Sequence, residues 1–381
     1  MSTQPIPVEG RITEYLHTKA AREGVPLNGT FELTPCCNMA CRMCYVRMSR
    51  EEQQAVGPLR TAAEWVELGR IAREKGMLYL LLTGGEPFLR RDFREIFQGL
   101  HALGLVLSIN SNATLIDEEI VAWLRQTPPS RINITLYGAS DETYGRLCGN
   151  PRGFTQTTRA ISLLREAGIA VKLNCSLTPD NAADAPMIFD YAKREGLVIQ
   201  ATSYMFPPLR RDVTQIGTNH RFSPEEAAYQ AARIVRLTGG DEKFLEYLQQ
   251  GLPPIPGETE DCPVTGEGEG IRCRAGKCSF WVTWRGEFLP CGMMPIEDAP
   301  NVFAQGFDSA WEQAKAYAAA IRLNVKCATC QARDDCKACA AMAYTESGDF
   351  SAVAQYRCDM TKAYPDACKQ VASEITGEVA Q

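Results

Sequence analysis

The sequence predicts an α/β fold: a partial, TIM-like (β/α)6 barrel followed by a small cysteine-rich domain. Three observations carry that expectation. Short apolar runs alternate with helix-like segments six times between residues 29 and 203, and such alternation builds a parallel sheet with helical crossovers. A closed eight-unit barrel typically needs about 250 residues, so six units leave the barrel open on one side. Beyond residue 271 the barrel pattern stops, and eight cysteines gather between residues 273 and 358 instead.

The elements follow in order. Residues 11–22 read as a short helix ahead of the first strand, 29–35. Thr61 and Glu64 form a capping box that opens a helix ending near Gly76. Residues 77–83 are a short continuous apolar run, as in a strand buried on both faces. Helices at 92–103, 117–125, 154–167 and 183–195 alternate with strands at 105–110, 131–136, 170–177 and 198–203. A loop covers 204–222. Ser223, Pro224 and Glu226 then start a helical region that ends by Gly251. The Pro-, Gly- and acid-rich stretch 252–270 reads as a linker. The predicted organisation is therefore an N-terminal extension (1–28), a barrel (29–222), a helical bridge with linker (223–270) and a cysteine-rich domain (271–381).

Composition narrows the function. The chain has 381 residues, 45% hydrophobic and 23% charged, as in an ordinary globular protein. A net charge of −6 and the lack of a long basic run argue against nucleic acid as a partner. No apolar run is long enough for a membrane span, and the first ten residues lack signal-peptide character. A cytoplasmic protein is expected. Sixteen cysteines against three histidines is the anomaly. A reducing compartment makes metal thiolates a better account than disulfides, and so little imidazole argues against catalytic zinc.

Cys37, Cys41 and Cys44 stand at C-x3-C-x2-C spacing, followed by Tyr45. Thiolates suit iron–sulfur clusters, zinc or Cu(I). A four-iron cluster normally takes four thiolates, so three would leave one iron open to a ligand. Gly84, Gly85, Glu86 and Pro87 follow the second strand; glycines there let the backbone approach a ligand, and the Glu86 carboxylate can pair with an ammonium. Ser108, Asn110 and Asn112, at the end of the third strand, carry short polar groups suited to a ribose. Segment 135–140, Asn174, Ser176 and residues 201–203 are further candidates by location, at the barrel face where active sites lie. In the C-terminal array, Cys273, Cys278, Cys291, Cys327, Cys330, Cys336, Cys339 and Cys358 make two sets of four. On counting alone, two four-iron clusters and two zinc sites fit equally. Residues 280–290 read as a β-hairpin with thiols at its ends.

The C-x3-C-x2-C loop followed by an aromatic, with Gly-Gly-Glu-Pro behind it, resembles the radical S-adenosylmethionine (radical SAM) superfamily. The C-terminal pattern resembles that family's SPASM extension, and together the two motif sets cover about residues 29–360. The resemblance implies a SAM-binding [4Fe–4S] cluster on Cys37, Cys41 and Cys44, with Cys36 outside the ligand set. It also implies contacts to SAM from 84–87, Ser108, Asn110 and Asn112. It implies two auxiliary [4Fe–4S] clusters, one on Cys273, Cys278, Cys291 and Cys339, the other on Cys327, Cys330, Cys336 and Cys358. One departure stands out: Cys336-x2-Cys339 is one residue shorter than the usual spacing. Cys148, Cys175, Cys262 and Cys368 are left as core or surface thiols.

In that family an electron from the open-iron cluster cleaves SAM to a 5′-deoxyadenosyl radical, which abstracts hydrogen from substrate. Fully ligated auxiliary clusters suit an electron conduit, so the resemblance implies oxidation or cross-linking of a peptide or protein. An external one-electron donor of flavodoxin or ferredoxin type is implied as a partner. The alternatives are a small molecule such as a tetrapyrrole precursor, or a sulfatase-maturing activity. Sulfatase-maturing members usually carry Asp after the cysteine that here precedes Gly292, which weighs against the last. Arg210, Arg211 and residues 204–208 are expected near the barrel mouth as substrate contacts.

Overall fold

A computed structural model of the chain describes residues 11–217, 220–251, 268–294 and 296–377. Residues 1–10 of the expected extension, most of the expected linker and Cys262 lie outside the described residues.

All six expected barrel strands form: β1 (Asn28–Glu32), β2 (Tyr79–Thr83), β3 (Val106–Ser111), β4 (Arg131–Thr135), β5 (Val171–Ser176) and β6 (Val198–Thr202). Each pairs in parallel with the next. The expected hairpin also forms, as β7 (Ser279–Val282) and β8 (Phe288–Leu289). It does more than present thiols, because β7 lies parallel against the free edge of β1, with Asn28 opposite Ser279 and Phe31 opposite Val282. One eight-stranded sheet results, in the order β6-β5-β4-β3-β2-β1-β7-β8.

Helices cover the outer face. α1 is Arg11–Glu23, α2 is Arg50–Val56, α3 is Ala62–Glu74, α4 is Phe93–Ala102 and α5 is Glu118–Gln126. α6 (Asp141–Cys148), α7 (Gly153–Glu166) and α8 (Ala185–Arg194) follow. The expected capping box at Thr61 and Glu64 is present at the start of α3. Two helices were not expected. α2 begins at a second capping box, Ser49 with Glu52, and α6 at the N-cap Ser140. Both are short, seven and eight residues, too brief for an apolar period to show. The bridge is two helices, α9 (Pro224–Gly239) and α10 (Asp241–Gln249), broken at Gly240.

The C-terminal part continues with α11 (Val302–Gln305), α12 (Phe307–Ala320), α13 (Val325–Ala328), α14 (Arg333–Cys336), α15 (Ala340–Ser347) and α16 (Gln355–Thr376). α16 packs along α9. Its Met360 and Val371, with Phe307 and Trp311 of α12 and Phe280 of β7, belong to the same buried core as the barrel.

Period-2 alternation sorts the strand faces. Leu80, Leu82, Leu107, Ile109, Ile132, Ile134 and Leu173 are buried in the core under the helices. The alternate positions look into the barrel and are largely polar: Glu32, Ser108, Asn110, Asn133 and Asn174. The run 77–83, expected to be buried on both faces, follows this rule too, with Leu81 only half-buried.

Candidate functional site

The loop after β1 is held by backbone bonds to two other segments and to itself. Gly85 N–H donates to Thr34 O (2.7 Å) and Glu86 N–H to Cys36 O (2.9 Å). Ala40 N–H donates to Cys148 O (2.7 Å) and Arg42 N–H to Leu147 O (3.1 Å), so the C-terminus of α6 carries the middle of the loop. Met48 N–H closes it on Pro35 O (3.0 Å). Between the cysteines, Met39 and Met43 are buried in the core, against which Cys37 and Cys41 also pack. Cys36 points elsewhere, its thiol 3.9 Å from Ser49 O and 4.0 Å from Gln53 Oε1.

Gly84 and Gly85 are required by this close approach. Gly84 has φ +152°, and a Cβ on either residue would collide with backbone, at Thr34 O for Gly84 and at Cys36 O for Gly85. The backbone of this turn therefore lies directly against the cysteine loop.

Glu86 is fully buried. Its Oε1 accepts from Phe88 N–H (3.1 Å) and Ser111 Oγ–H (2.9 Å), and its Oε2 from Asn112 N–H (2.8 Å). Burial pushes its pKa up to about 7 against these donors, which favour the ionised form. The carboxylate that sequence reasoning offered to an ammonium is instead the tie between the Gly-Gly turn and the end of β3.

Asn112 is brought to the site. Its Nδ2 donates to Asn38 Oδ1 (2.9 Å) and lies 3.6 Å from the Cys37 sulfur. Ser108 is not. It lies three residues, about 10 Å of extended chain, below Ser111. There it lines a cavity with Thr13, Asn28, Ser130 and Arg131 at the N-terminal ends of the strands. The expectation that it contacts the ribose is corrected on that ground. Asn110 lies between the two and accepts from Asn133 Nδ2 (2.8 Å). Ser203, expected at the mouth, turns to Ala227 O of α9 (2.8 Å).

Burial pushes Cys37 up to about 12, with Glu86, Cys41 and Cys44 adding to the rise. Cys41 is raised by the Cys148 thiol beside it and by burial. Cys44 is raised chiefly by burial. Ligation would displace these protons. Cys148, read from sequence as a core thiol, is buried but sits against Cys41; only the docking of α6 under the loop reveals this.

Seven of the eight thiols of the C-terminal array fall into two neighbourhoods. Cys291, pushed up to about 11 chiefly by burial, has Cys273 and Cys339 as neighbours. Cys327 has Cys336, Cys358 and Cys330. Cys278 is fully buried and packs with Ala20 and Leu27, its carbonyl accepting from Asn28 N–H (2.9 Å). The short Cys336–Cys339 interval is a turn in which Lys337 takes φ +52°. Arg333 braces it, bonded to Ala338 O (2.7 Å) and to Glu269 Oε1 (2.9 Å), and Arg357 donates to Cys336 O (2.7 Å). No disulfide joins any of the fifteen described cysteines. Among the described residues no group of three or more His, Cys, Asp or Glu closes around a single ion. The donor sets nonetheless fit the groups implied: three thiols on one anchored loop beside an apposed glycine turn, and a second, separate gathering of thiols.

A third feature escaped the sequence. Glu32, fully buried at the top of β1, accepts from Arg210 Nη2 (2.8 Å) and Trp281 Nε1 (3.2 Å). A charge inside a strand that is otherwise buried was the available signal. Arg210 is thus committed to an internal ion pair rather than free at the mouth. Arg211 Nη1 reaches Cys44 O (3.4 Å). The 204–222 loop is further fastened by Tyr204 Oη–H to Glu346 (2.6 Å) and by Arg221 stacked 3.6 Å over Tyr356.

Comparison with known proteins agrees with this geometry. Residues 31–192 match the model of the Radical SAM superfamily. The chain is 27% identical to an AdoMet-dependent heme synthase of Methanosarcina barkeri, over 84% of this chain and 93% of that protein. It is 26% identical to the antilisterial bacteriocin subtilosin biosynthesis protein AlbA of Bacillus subtilis, over 75% of this chain and 59% of that one. Among solved structures, Streptococcus suis SuiB bound to precursor peptide SuiA superposes with a TM-score of 0.66 at 16% identity, covering 94% of this chain and 84% of SuiB. No helix among the described residues is long and apolar enough to cross a membrane.

Proposed function

The chain is a radical SAM enzyme, with that superfamily's domain over residues 31–192, and from this premise we propose that it oxidatively modifies a peptide or protein, by cross-linking or side-chain oxidation. Cys37, Cys41 and Cys44 would hold the SAM-binding [4Fe–4S] cluster, which supplies the electron that cleaves SAM to a 5′-deoxyadenosyl radical. Gly84 and Gly85 offer backbone to the methionine end of SAM. Glu86 holds that turn to β3, and Asn112 directs its amide toward the ligand side of Cys37. The C-terminal thiols would hold two auxiliary [4Fe–4S] clusters, one on Cys273, Cys291 and Cys339 with Cys278 as the implied fourth ligand, although that thiol packs against Ala20 and Leu27, and the other on Cys327, Cys330, Cys336 and Cys358.

The observation that carries an oxidation rather than a rearrangement is the place of the second thiol array. The hairpin bearing Cys291 is joined to the barrel sheet through β7 and β1, and fully ligated clusters there suit removal of an electron. AlbA and SuiB, a bacteriocin biosynthesis protein and a protein solved with a precursor peptide, support the peptide reading. A tetrapyrrole substrate is the second reading. It is favoured by the heme synthase match, which runs along nearly the whole of both chains. A cytoplasmic location and an external flavodoxin- or ferredoxin-type donor complete the proposal.

The test is anaerobic reconstitution with iron and sulfide counts, on the parent and on a Cys37/Cys41/Cys44→Ala variant. About twelve irons falling to about eight is expected for three four-iron clusters. Roughly four irons with two zincs in the parent would remove the oxidation argument. Formation of 5′-deoxyadenosine is then followed with peptides encoded beside the gene and with an iron–tetrapyrrole. Stimulation by the tetrapyrrole alone overturns the peptide reading.

A further inference from the structure

Arg210 occupies an unusual place. Its guanidinium donates through Nη2 to Glu32 Oε1 (2.8 Å) and through Nη1 to Gly292 O (3.3 Å), and its Cζ lies 5.8 Å from the ring centroid of Tyr45. Tyr45 directly follows Cys44. Gly292 directly follows Cys291. One side chain from the loop after β6 therefore touches the neighbours of a thiol from each array. Trp281 completes the arrangement. Its indole donates to the other oxygen of Glu32 (3.2 Å), and its ring lies so close to Gly292 that an added Cβ would stand 2.6 Å away.

Such an ion pair has a cost. The Glu32 side chain is 1% exposed and that of Arg210 13%, and desolvating two charges often cancels their attraction. The local structure does not need the pair for strand pairing, since the bonds between β1, β2 and β7 are made by backbone. What the pair does supply is a fixed positive charge one residue from Cys291, with a fixed negative charge behind it.

We propose that Arg210 is a positioning residue that ties the Cys44–Tyr45 end of the first cluster loop to the Cys291 end of the auxiliary array, and that with Glu32 it sets the reduction potential of the auxiliary cluster held there. The inference rests on the reading that Cys291 ligates an iron–sulfur cluster. Reduction adds one negative charge to a cluster, and net charge nearby is one of the determinants of its potential. The guanidinium beside Cys291 favours the reduced state, and the Glu32 carboxylate opposes it. The remaining set, Cys327, Cys330, Cys336 and Cys358, shows none of these contacts among the described residues and serves as an internal reference.

The experiment is an EPR-monitored redox titration of the full chain in the Cys37/Cys41/Cys44→Ala background, where the auxiliary clusters are the ones left. Arg210→Gln is expected to lower the potential of one cluster, and Glu32→Gln to raise the same one. The double variant should return near the parent, and Arg210→Lys, which keeps the charge, should restore most of the shift. The second cluster should stay put throughout. Shifts of the same sign, shifts shared by both clusters or no shift at all overturn the proposal. Should Arg210→Gln fail to load, Glu32→Gln must still raise the potential of that one cluster, and Arg210→Lys must leave it near the parent value. Zinc in place of auxiliary iron in the parent removes the functional reading and this inference together; iron without a cluster-specific shift removes this inference alone.

Discussion

The cysteine loop after β1 and the thiol array after β8 collect the same donor, but they are built differently. The first is held by backbone: its N–H groups reach α6, its carbonyls receive those of the Gly84–Glu86 turn, and Met39 and Met43 pin it to the core. The second is held by side chains. Cys327 and Cys336 sit in helices of four residues each, too short to persist without tertiary support. The turn after them depends on Arg333, Glu269 and Arg357. The first loop is fixed by backbone bonds to neighbouring segments, whereas the second leans on charged side-chain ties.

The comparison can be broken most severely at Gly85. Gly85→Ala places a methyl against Cys36 O and Pro35 O, so the turn must leave the loop. Iron should fall by about four per chain while the auxiliary content stays. An unchanged iron count would show that the loop does not need this apposition.

A smaller effect tests the other region. Arg333→Met should take from Glu269 one of its two arginine partners, leaving Arg272, and free Ala338 O, costing about 1–3 kcal/mol. Hydrogen exchange should rise across residues 325–347 and stay unchanged at 36–48. Equal rises in both would mean that the two regions are one unit.

The tie under the first site can be sharpened by pH. Burial raises Glu86 to about 7 from an ordinary value near 4.5, so the folded state binds its proton more tightly than the unfolded one. This contribution is fully present below the unfolded value and is lost as pH rises through about 7. The urea midpoint of the parent should decline between pH 5.5 and 7.5 relative to that of Glu86→Gln. That variant should itself cost about 1–3 kcal/mol, because its amide N–H₂ faces a donor. Parallel pH profiles would refute the assignment.

Ser111→Ala, which removes one of the three donors to Glu86, should cost the least, about 0.5–1.5 kcal/mol. It should also raise the pH at which the Glu86 contribution is lost, since a donor that favours the carboxylate has gone. A shift downward would contradict the bonding described.

Much of the site was legible in the sequence because its signals are local. The intervals among Cys37, Cys41 and Cys44, the Gly-Gly-Glu-Pro turn after an apolar run, and the six alternations each lie within one element or one loop. Chemistry can be read from residue type at that range. Ser108 shows the limit within a single strand. Three residues separate it from Ser111, and rise per residue, not residue type, decides which end of the barrel it serves.

What remained hidden was long-range. Glu32 meets Arg210 and Trp281 across 178 and 249 residues, and Cys41 meets Cys148 because α6 docks beneath the loop. β7 finds β1 because β1, first in the barrel, has a free edge whose N–H and C=O groups need partners. Residue type and chain order establish which thiols, glycines and strands are present. Which of them meet is set by folding, because burial and strand pairing act between surfaces that the chain order leaves far apart.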